Sequence, residues 1–248
     1  MKLNKFFTEN NRVALAFSGG VDSSYLLYEA LRHGCDVRAY FVKTVFQPQF
    51  ELDDALRMAE HLNADIKIIE ADVLSDPTVV SNPADRCYYC KKLIFSRIAS
   101  EAENDGYDVI LDGTNASDDE GDRPGIRALR ELSVRSPLKE CGLTKSEIRN
   151  LSREAGLFTW DKPAYACLAT RIPTGTGITA DKLERTEKAE TFLASLGFSN
   201  FRVRMVGDSA KIQLLESQID MLLKNRITIL NELLKYYDTV TLDLAVRT

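Results

Sequence analysis

The sequence predicts an α/β protein: a Rossmann-like parallel sheet wrapped by helices, followed by a smaller C-terminal α+β domain. Three observations carry this expectation. Strand-length apolar runs alternate with helix-period stretches over the first two-thirds of the chain, a Gly/Ser-rich loop stands at the first strand-to-helix junction, and the order of elements changes beyond a turn-rich stretch at 171–179. In order, Val13–Phe17 reads as a buried strand, Ser23–Arg32 as a helix, Val37–Val42 as a strand, Glu51–Leu62 as a helix and Asp65–Ile69 as a strand. That rhythm is the one that right-handed crossovers build into a parallel sheet. Tyr107–Leu111 reads as a further strand, and Thr144 with Glu147 forms a capping box that opens a helix to about Ala155.

The stretch Arg171-Ile-Pro-Thr-Gly-Thr-Gly-Ile-Thr179 reads as a linker. Beyond it come a helix (about Ala180–Leu196), two strands (Phe201–Val206 and Ala210–Leu214), a helix (about Ser217–Leu234) and a strand (Thr239–Leu244). The expected domains are therefore 1–172, carrying the loop, and 179–248, a small substrate or oligomerisation domain. A domain of about 70 residues is near the lower limit for independent stability, so it is expected to lean on the first domain or on another subunit, as in a homo-oligomer.

With 248 residues, 44% hydrophobic and 28% charged, the composition is that of a soluble globular chain, which excludes disorder, collagen and fibres. No apolar run approaches the roughly 18 residues of a membrane span, and the start lacks the apolar stretch of a signal peptide. A cytoplasmic protein with no membrane partner is expected. The 32 basic and 37 acidic residues give a net charge of -5 with no basic block, so nucleic acid is not expected as a partner. Five cysteines are an odd number in a chain with no export signal, which argues against a disulfide framework and leaves metal chemistry, redox chemistry or packing.

Ser18-Gly19-Gly20-Val21-Asp22-Ser23-Ser24 lies where an α/β sheet binds its ligand. Two glycines allow a tight turn whose N–H groups point at one anion. The helix N-terminus adds partial positive charge, and the three hydroxyls can donate to phosphate oxygens. Asp22 can hold the Mg2+ that accompanies a polyphosphate. The loop lacks the lysine of G-x-x-x-x-G-K-[ST] and is not G-x-G-x-x-G. It resembles the PP-loop of the N-type ATP pyrophosphatase superfamily, whose members cleave ATP between the α and β phosphates. By that resemblance the residues 1–172 form a PP-loop ATP pyrophosphatase domain.

Cys87 and Cys90 lie in Asp85-Arg-Cys-Tyr-Tyr-Cys-Lys-Lys92, and Cys167 lies in Trp160-Asp-Lys-Pro-Ala-Tyr-Ala-Cys-Leu-Ala-Thr-Arg171. A C-x-x-C pair alone can be a redox pair, half of a zinc site, or two core residues on one helical turn. His33 and His61 sit in helical patterns that suit surface or core roles, whereas three thiolates suit a [4Fe-4S] cluster with one iron left for an external ligand. Arg202 and Arg204 are two apart on an expected strand, so they leave one face and either converge on an anion or line a solvated sheet face. Gly113 and Thr114, in Asp112-Gly-Thr-Asn115, follow a strand and either contact nucleotide or make a cap and turn. Asp118, Asp119, Glu120 and Asp122 form an acidic run that suits either a solvated loop or a lid over ATP. Trp160 suits either stacking on a ligand ring or packing, and Cys35 and Cys141 read as ordinary thiols.

Within the superfamily the chain resembles the LarE family, ATP-dependent sulfur transferases that build the nickel-pincer nucleotide cofactor of lactate racemase. The resemblance runs over nearly the whole chain. It rests on Ala16-Phe-Ser-Gly-Gly-Val-Asp-Ser23, Arg86-Cys-Tyr-Tyr-Cys-Lys91, Asp112-Gly-Thr-Asn115, Asp122-Arg-Pro-Gly125, Val134-Arg-Ser-Pro-Leu138, Cys167-Leu-Ala-Thr-Arg171 and Phe201-Arg-Val-Arg204. It implies ATP, Mg2+ and, for members with all three cysteines, a [4Fe-4S] cluster on Cys87, Cys90 and Cys167. It further implies adenylation of a carboxylate of pyridinium-3,5-biscarboxylic acid mononucleotide, then displacement of AMP by sulfide from a separate donor. Arg202 and Arg204, joined by Arg171, would bind the substrate phosphate, and Trp160 would either stack on the pyridinium ring or serve packing.

Three other readings stand beside it. A tRNA thiolase combines the same loop with cysteines, but the acidic net charge stands against it. An amide ligase fed with ammonia would leave the three cysteines without a role. A non-enzymatic iron-sulfur binding module would leave the loop without one.

Overall fold

The computed structural model describes residues 2–118 and 124–247. Asp119, Glu120, Asp122 and Arg123, from the acidic run and the Asp122-Arg-Pro-Gly125 motif, lie outside the described residues. Packing divides the chain into two compact units, Met1–Val73 with Asp85–Lys162, and Leu74–Ala84 with Pro163–Thr248.

The first unit runs α1 (Leu3–Glu9), β1 (Arg12–Ala16), α2 (Val21–Arg32), β2 (Asp36–Lys43), α3 (Gln49–His61) and β3 (Asp65–Glu70). The chain next lends α4 (Pro77–Val80) to the second unit. It returns as α5 (Arg86–Asn104), β4 (Ile110–Leu111), α6 (Pro124–Glu131), α7 (Pro137–Glu140) and α8 (Lys145–Glu154). The strands form one parallel sheet in the order β3-β2-β1-β4. From β1 the chain steps outward to β2 and β3, then returns to the other side of β1 for β4. The order thus reverses between β1 and β4, and their carboxyl ends border the crevice where such sheets bind ligands.

Alternation along β1 explains why both sheet faces are covered. Val13 and Leu15 enter one buried cluster with Phe6, Leu26, Leu27 and Met58, whereas Ala14 enters another with Tyr40, Phe95 and Ile98.

Two expectations from the sequence are corrected here. Residues 86–104, for which no element is expected from the sequence, form the 19-residue α5, which buries Phe95, Ile98 and Ala102 along one face. The strand expected at Tyr107–Leu111 shortens to Ile110–Leu111. Tyr107 instead closes α5: its amide donates to the Ala102 carbonyl (2.8 Å), and its hydroxyl donates to Asp36 (3.0 Å). The capping box forms as read, with Thr144 and Glu147 exchanging side-chain to backbone bonds.

In the second unit, α9 (Ala180–Ser195), β5 (Arg202–Val206), β6 (Ser209–Gln213), α10 (Ile219–Leu233) and β7 (Thr239–Leu242) follow one another. β5 pairs antiparallel with β6, and β6 parallel with β7, a small mixed sheet. The stretch 171–179 is not slack. Asn82 donates to the carbonyls of Pro173 (2.8 Å) and Thr176 (3.2 Å), and the amides of Gly175 and Ile178 donate to the carbonyls of Asn82 and Val80 (both 2.8 Å). Its turn residues fold a loop onto Val80–Asn82 inside this unit, and the packing boundary falls at Lys162. Among the described residues no helix is long and apolar enough to cross a membrane.

Candidate active site

The Gly/Ser-rich loop leaves the carboxyl end of β1 and enters α2 at Gly20, an N-cap without a side-chain cap. The first N–H groups of α2 therefore end in an uncapped turn suited to an anion. Gly19 is required twice over. Its φ of +65° is in the left-handed region, and a Cβ there would come within 2.9 Å of the Ala55 amide nitrogen. The Ser18 and Ser23 hydroxyls lie 3.1 Å apart, and Ser23 Oγ donates to the Gly20 carbonyl (3.2 Å), bonds a ligand can replace. Val21 is buried in the core and offers only its backbone. The Ser24 hydroxyl is buried at the fourth helical position, without a hydrogen-bond partner among the described residues.

The residues after β4 meet this loop. Gly113 packs where a Cβ would stand 3.1 Å from the Ser23 amide nitrogen and 3.2 Å from Asp22 Cβ, so only glycine fits the approach without displacement. Thr114 turns back on Asp112, to which it donates from both its amide (3.2 Å) and its hydroxyl, and Ser136 Oγ donates to the same carboxylate (2.6 Å). Asp112 thereby fixes the turn that carries Gly113.

Four residues outside the expected site set, Asn115, Lys145, Lys162 and Asp54, surround the loop. Asn115 Nδ2 donates to Asp22 Oδ1 (3.3 Å), and Lys145, the first residue of α8, makes a short ion pair with Asp22 Oδ2. Lys162 Nζ pairs with Asp54 (2.7 Å) and reaches the Gly19 carbonyl (3.4 Å). Asn115 and Lys162 lie within motifs already quoted, and Lys145 directly follows the capping Thr144. Their signal was position at a strand end or helix start, not residue type.

Cys87 and Cys90 lie in the first two turns of α5, three residues apart and on one side of it, with Cys87 exposed and Cys90 half-buried. The buried Arg86 guanidinium lies 4.0 Å from Cys87 Sγ. Between the cysteines, Tyr88 donates to Glu131 (2.7 Å) and so ties α5 to α6. Among the described residues no three His, Cys, Asp or Glu side chains are gathered as a metal-ion site. The Cys35 and Cys141 thiols are both pushed up by burial, Cys35 to about 11. His33 pairs with Glu29, and His61 packs edge-on against Phe158. Trp160 is 38% exposed, with the Arg153 guanidinium 5.6 Å from its ring centroid.

Cys167 belongs to the second unit, half-buried ahead of the turn Leu168–Arg171. Three arginines grip the segment that carries it. Arg171 is fully buried, pairs with both oxygens of Glu190 (2.8 and 3.0 Å) and donates to the Ala166 carbonyl (2.9 Å). Arg202 donates to the Ala164 carbonyl and Arg204 to that of Thr170 (both 2.8 Å). Arg202 and Arg204 thus leave one face of β5, as read, but converge on protein carbonyls instead of open solvent. Burial first, then repulsion from Arg171 and Arg247, brings Arg202 down to about 10.

A glycine turn with an uncapped helix at the switch point of a parallel sheet, an aspartate one residue into the helix, and no lysine within the loop define a PP-loop ATP pyrophosphatase domain. Residues 7–119 match the asparagine synthase family model. The chain is 39% identical, over 84% of its length and 76% of the relative's, to the pyridinium-3,5-bisthiocarboxylic acid mononucleotide synthase of Lactiplantibacillus plantarum, and it belongs to that family, LarE. It is also 36% identical to an uncharacterized protein of Synechocystis over 98% of this chain and 92% of the relative. A more distant relative is the tRNA-specific 2-thiouridylase of Thermotoga petrophila, 25% identical over 59% of this chain and 52% of the relative.

Proposed function

We propose that the protein is an ATP-dependent sulfur transferase acting on pyridinium-3,5-biscarboxylic acid mononucleotide, in the making of a nickel-pincer nucleotide cofactor. The observation that carries this reading is the uncapped start of α2 behind Gly19 and Gly20, at the switch point of the sheet, in a chain 39% identical to a named synthase of that product. The loop N–H groups and the Ser18 and Ser23 hydroxyls bind the β and γ phosphates, and Asp22 holds Mg2+. The α-phosphorus is left open to a substrate carboxylate. Its oxygen forms the new P–O bond as the α–β bridge breaks and pyrophosphate leaves. Hydrosulfide then attacks the acyl carbon, the acyl C–O bond breaks, and AMP leaves a thiocarboxylate.

Arg202 and Arg204 supply positive charge toward the substrate phosphate, while Arg171 shapes the segment carrying Cys167. Their excess of charge over Glu190 supports this division.

The thiols of Cys87, Cys90 and Cys167 are soft donors without a histidine in the set, a chemistry that fits an iron-sulfur cluster better than a hard cation. When bound, a [4Fe-4S] cluster on these three residues supplies one iron without a protein ligand, able to carry hydrosulfide. The pairing of Cys87 and Cys90 on one helix side supports two of the three ligands.

The test is the fate of labelled ATP with the pyridinium substrate. AMP and pyrophosphate are expected; ADP and phosphate would end the reading. Protein reconstituted without oxygen is expected to bind about four irons per chain. That iron is lost in Cys87→Ala, Cys90→Ala or Cys167→Ala and kept in Cys35→Ala and Cys141→Ala.

A further inference from the structure

We infer that Gln213 is a positioning residue for the substrate phosphate: it holds Arg204 in place without neutralising it. The inference rests on the reading that Arg204 faces that phosphate.

One face of the β5–β6 pair is apolar. Val203 and Met205 stand opposite Ile212 and Ala210, and all four are buried. Arg202 stands opposite Gln213, and Arg204 opposite Lys211, so these four side chains share the second face. Gln213 is thereby the diagonal neighbour of Arg204. Its Oε1 accepts from Arg204 Nε (2.6 Å), and its Nε2 donates to Asp243 Oδ2 (2.7 Å).

This chain of bonds keeps negative charge one residue away from Arg204. Asp243, at its far end, also accepts from Lys211 (3.0 Å) and from the Ala245 amide (3.1 Å). Gln213 first, then Lys211, bring the Asp243 carboxyl down to about 2, so it stays ionised and committed to them. The amide between passes on a hydrogen bond and carries no charge. Arg204 is thus gripped at Nε by Gln213 and at Nη1 by the Thr170 carbonyl (2.8 Å), both neutral acceptors. Glu190, the other carboxylate nearby, gives both its oxygens to Arg171. A guanidinium fixed by neutral partners keeps its charge for an incoming anion, whereas a glutamate at position 213 would make the same bond and cancel it.

Exchanging the two acceptors isolates this effect. Gln213→Glu combined with Asp243→Asn keeps the total charge and can keep both bonds, but it moves the carboxylate onto Arg204. The measurement is AMP formation by the full chain with the pyridinium mononucleotide and with the corresponding riboside, which lacks the phosphate. Thermal unfolding confirms that each variant folds. The exchanged variant is expected to raise KM for the mononucleotide about tenfold, as for the loss of one charge-assisted contact, with kcat and the use of the riboside unchanged. Gln213→Leu leaves Arg204 charged but unheld, and a smaller rise of about threefold is expected, again confined to the mononucleotide. It carries the test should the exchanged variant fail to fold.

A wild-type KM in these variants, or equal losses on both substrates, overturns the role of Gln213. The reading of Arg204 then still stands if Arg204→Gln loses the preference for the mononucleotide over the riboside. An undiminished preference in Arg204→Gln removes that reading and the role of Gln213 together.

Discussion

The amino half of the parallel sheet is tied by charges that answer one another directly. Arg12 pairs with Asp36 (3.2 Å) and Arg38 with Asp65 (2.5 Å), while Asp105 accepts from Lys67 (2.8 Å), Tyr40 (2.9 Å) and Arg38 (3.1 Å). Lys67 first, then Tyr40 and Arg38, hold the Asp105 carboxyl down at about 2. The carboxyl ends of β1 and β4 have the same residue types in a different state. Asp22 is held by the tips of two long or neutral side chains, two serine hydroxyls bond to each other, and a helix begins without a cap. One end is closed by its own partners. The other is closed only provisionally, and a ligand can replace each of those bonds. A parallel sheet thus puts structural and exchangeable polar chemistry at opposite ends of the same strands.

The largest break in this comparison is expected from Asp22→Asn. Loss of the carboxylate proposed to hold Mg2+ should lower AMP formation by about a hundredfold or more, a usual size for removing one electrostatic element of a site, with little change in the melting temperature. Asp105→Asn should do the reverse, lowering the melting temperature while turnover per folded molecule stays near wild type.

Gly19→Ala should damage both properties at once. The left-handed backbone alone costs roughly 1–2 kcal/mol, and the new methyl must also displace α3 at Ala55. Urea unfolding and ATP turnover on one preparation measure the two effects.

Tyr40→Phe removes a single buried donor from the closed end, and urea unfolding should show a loss of about 1 kcal/mol without any change in pyrophosphate affinity.

The smallest effect is that of pH. The Asp105 carboxyl is lowered in the folded protein from 3.8 to about 2, so its contribution is fully present above the unfolded value and is lost as the pH falls from about 4 to about 2. Acid unfolding of wild type should therefore be steeper in that range than that of Asp105→Asn. An identical pH dependence in the two would remove Asp105 from the closed network.

The sequence displayed the loop, the alternation of strands and helices, and the capping box, because each depends on neighbours within a few positions. It did not display α5, whose buried apolar face, Phe95, Ile98 and Ala102, is sparse and begins only beyond the motif Arg86-Cys-Tyr-Tyr-Cys-Lys91. Nor did it reveal that Arg171 is consumed by Glu190, because two residues 19 positions apart meet only through the packing of α9 on the turn that carries Cys167. Arg202 and Arg204 were legible as a same-face pair through the period of a strand. Their targets, the carbonyls of Ala164 and Thr170, were not, since backbone acceptors leave no mark on the residue types around them.

The partners of the phosphate loop lie far along the chain from it: Asn115 is 93 residues beyond Asp22, Lys145 is 123 beyond it, and Lys162 is 143 beyond Gly19. Closing such long loops is slow relative to forming the helices and turns within them. A chain emerging from the ribosome therefore carries the glycine turn early but completes the site only after α8 and Lys162 have followed. Nucleotide binding then reports that the whole first unit has folded, and ATP adds its binding energy to the finished state alone.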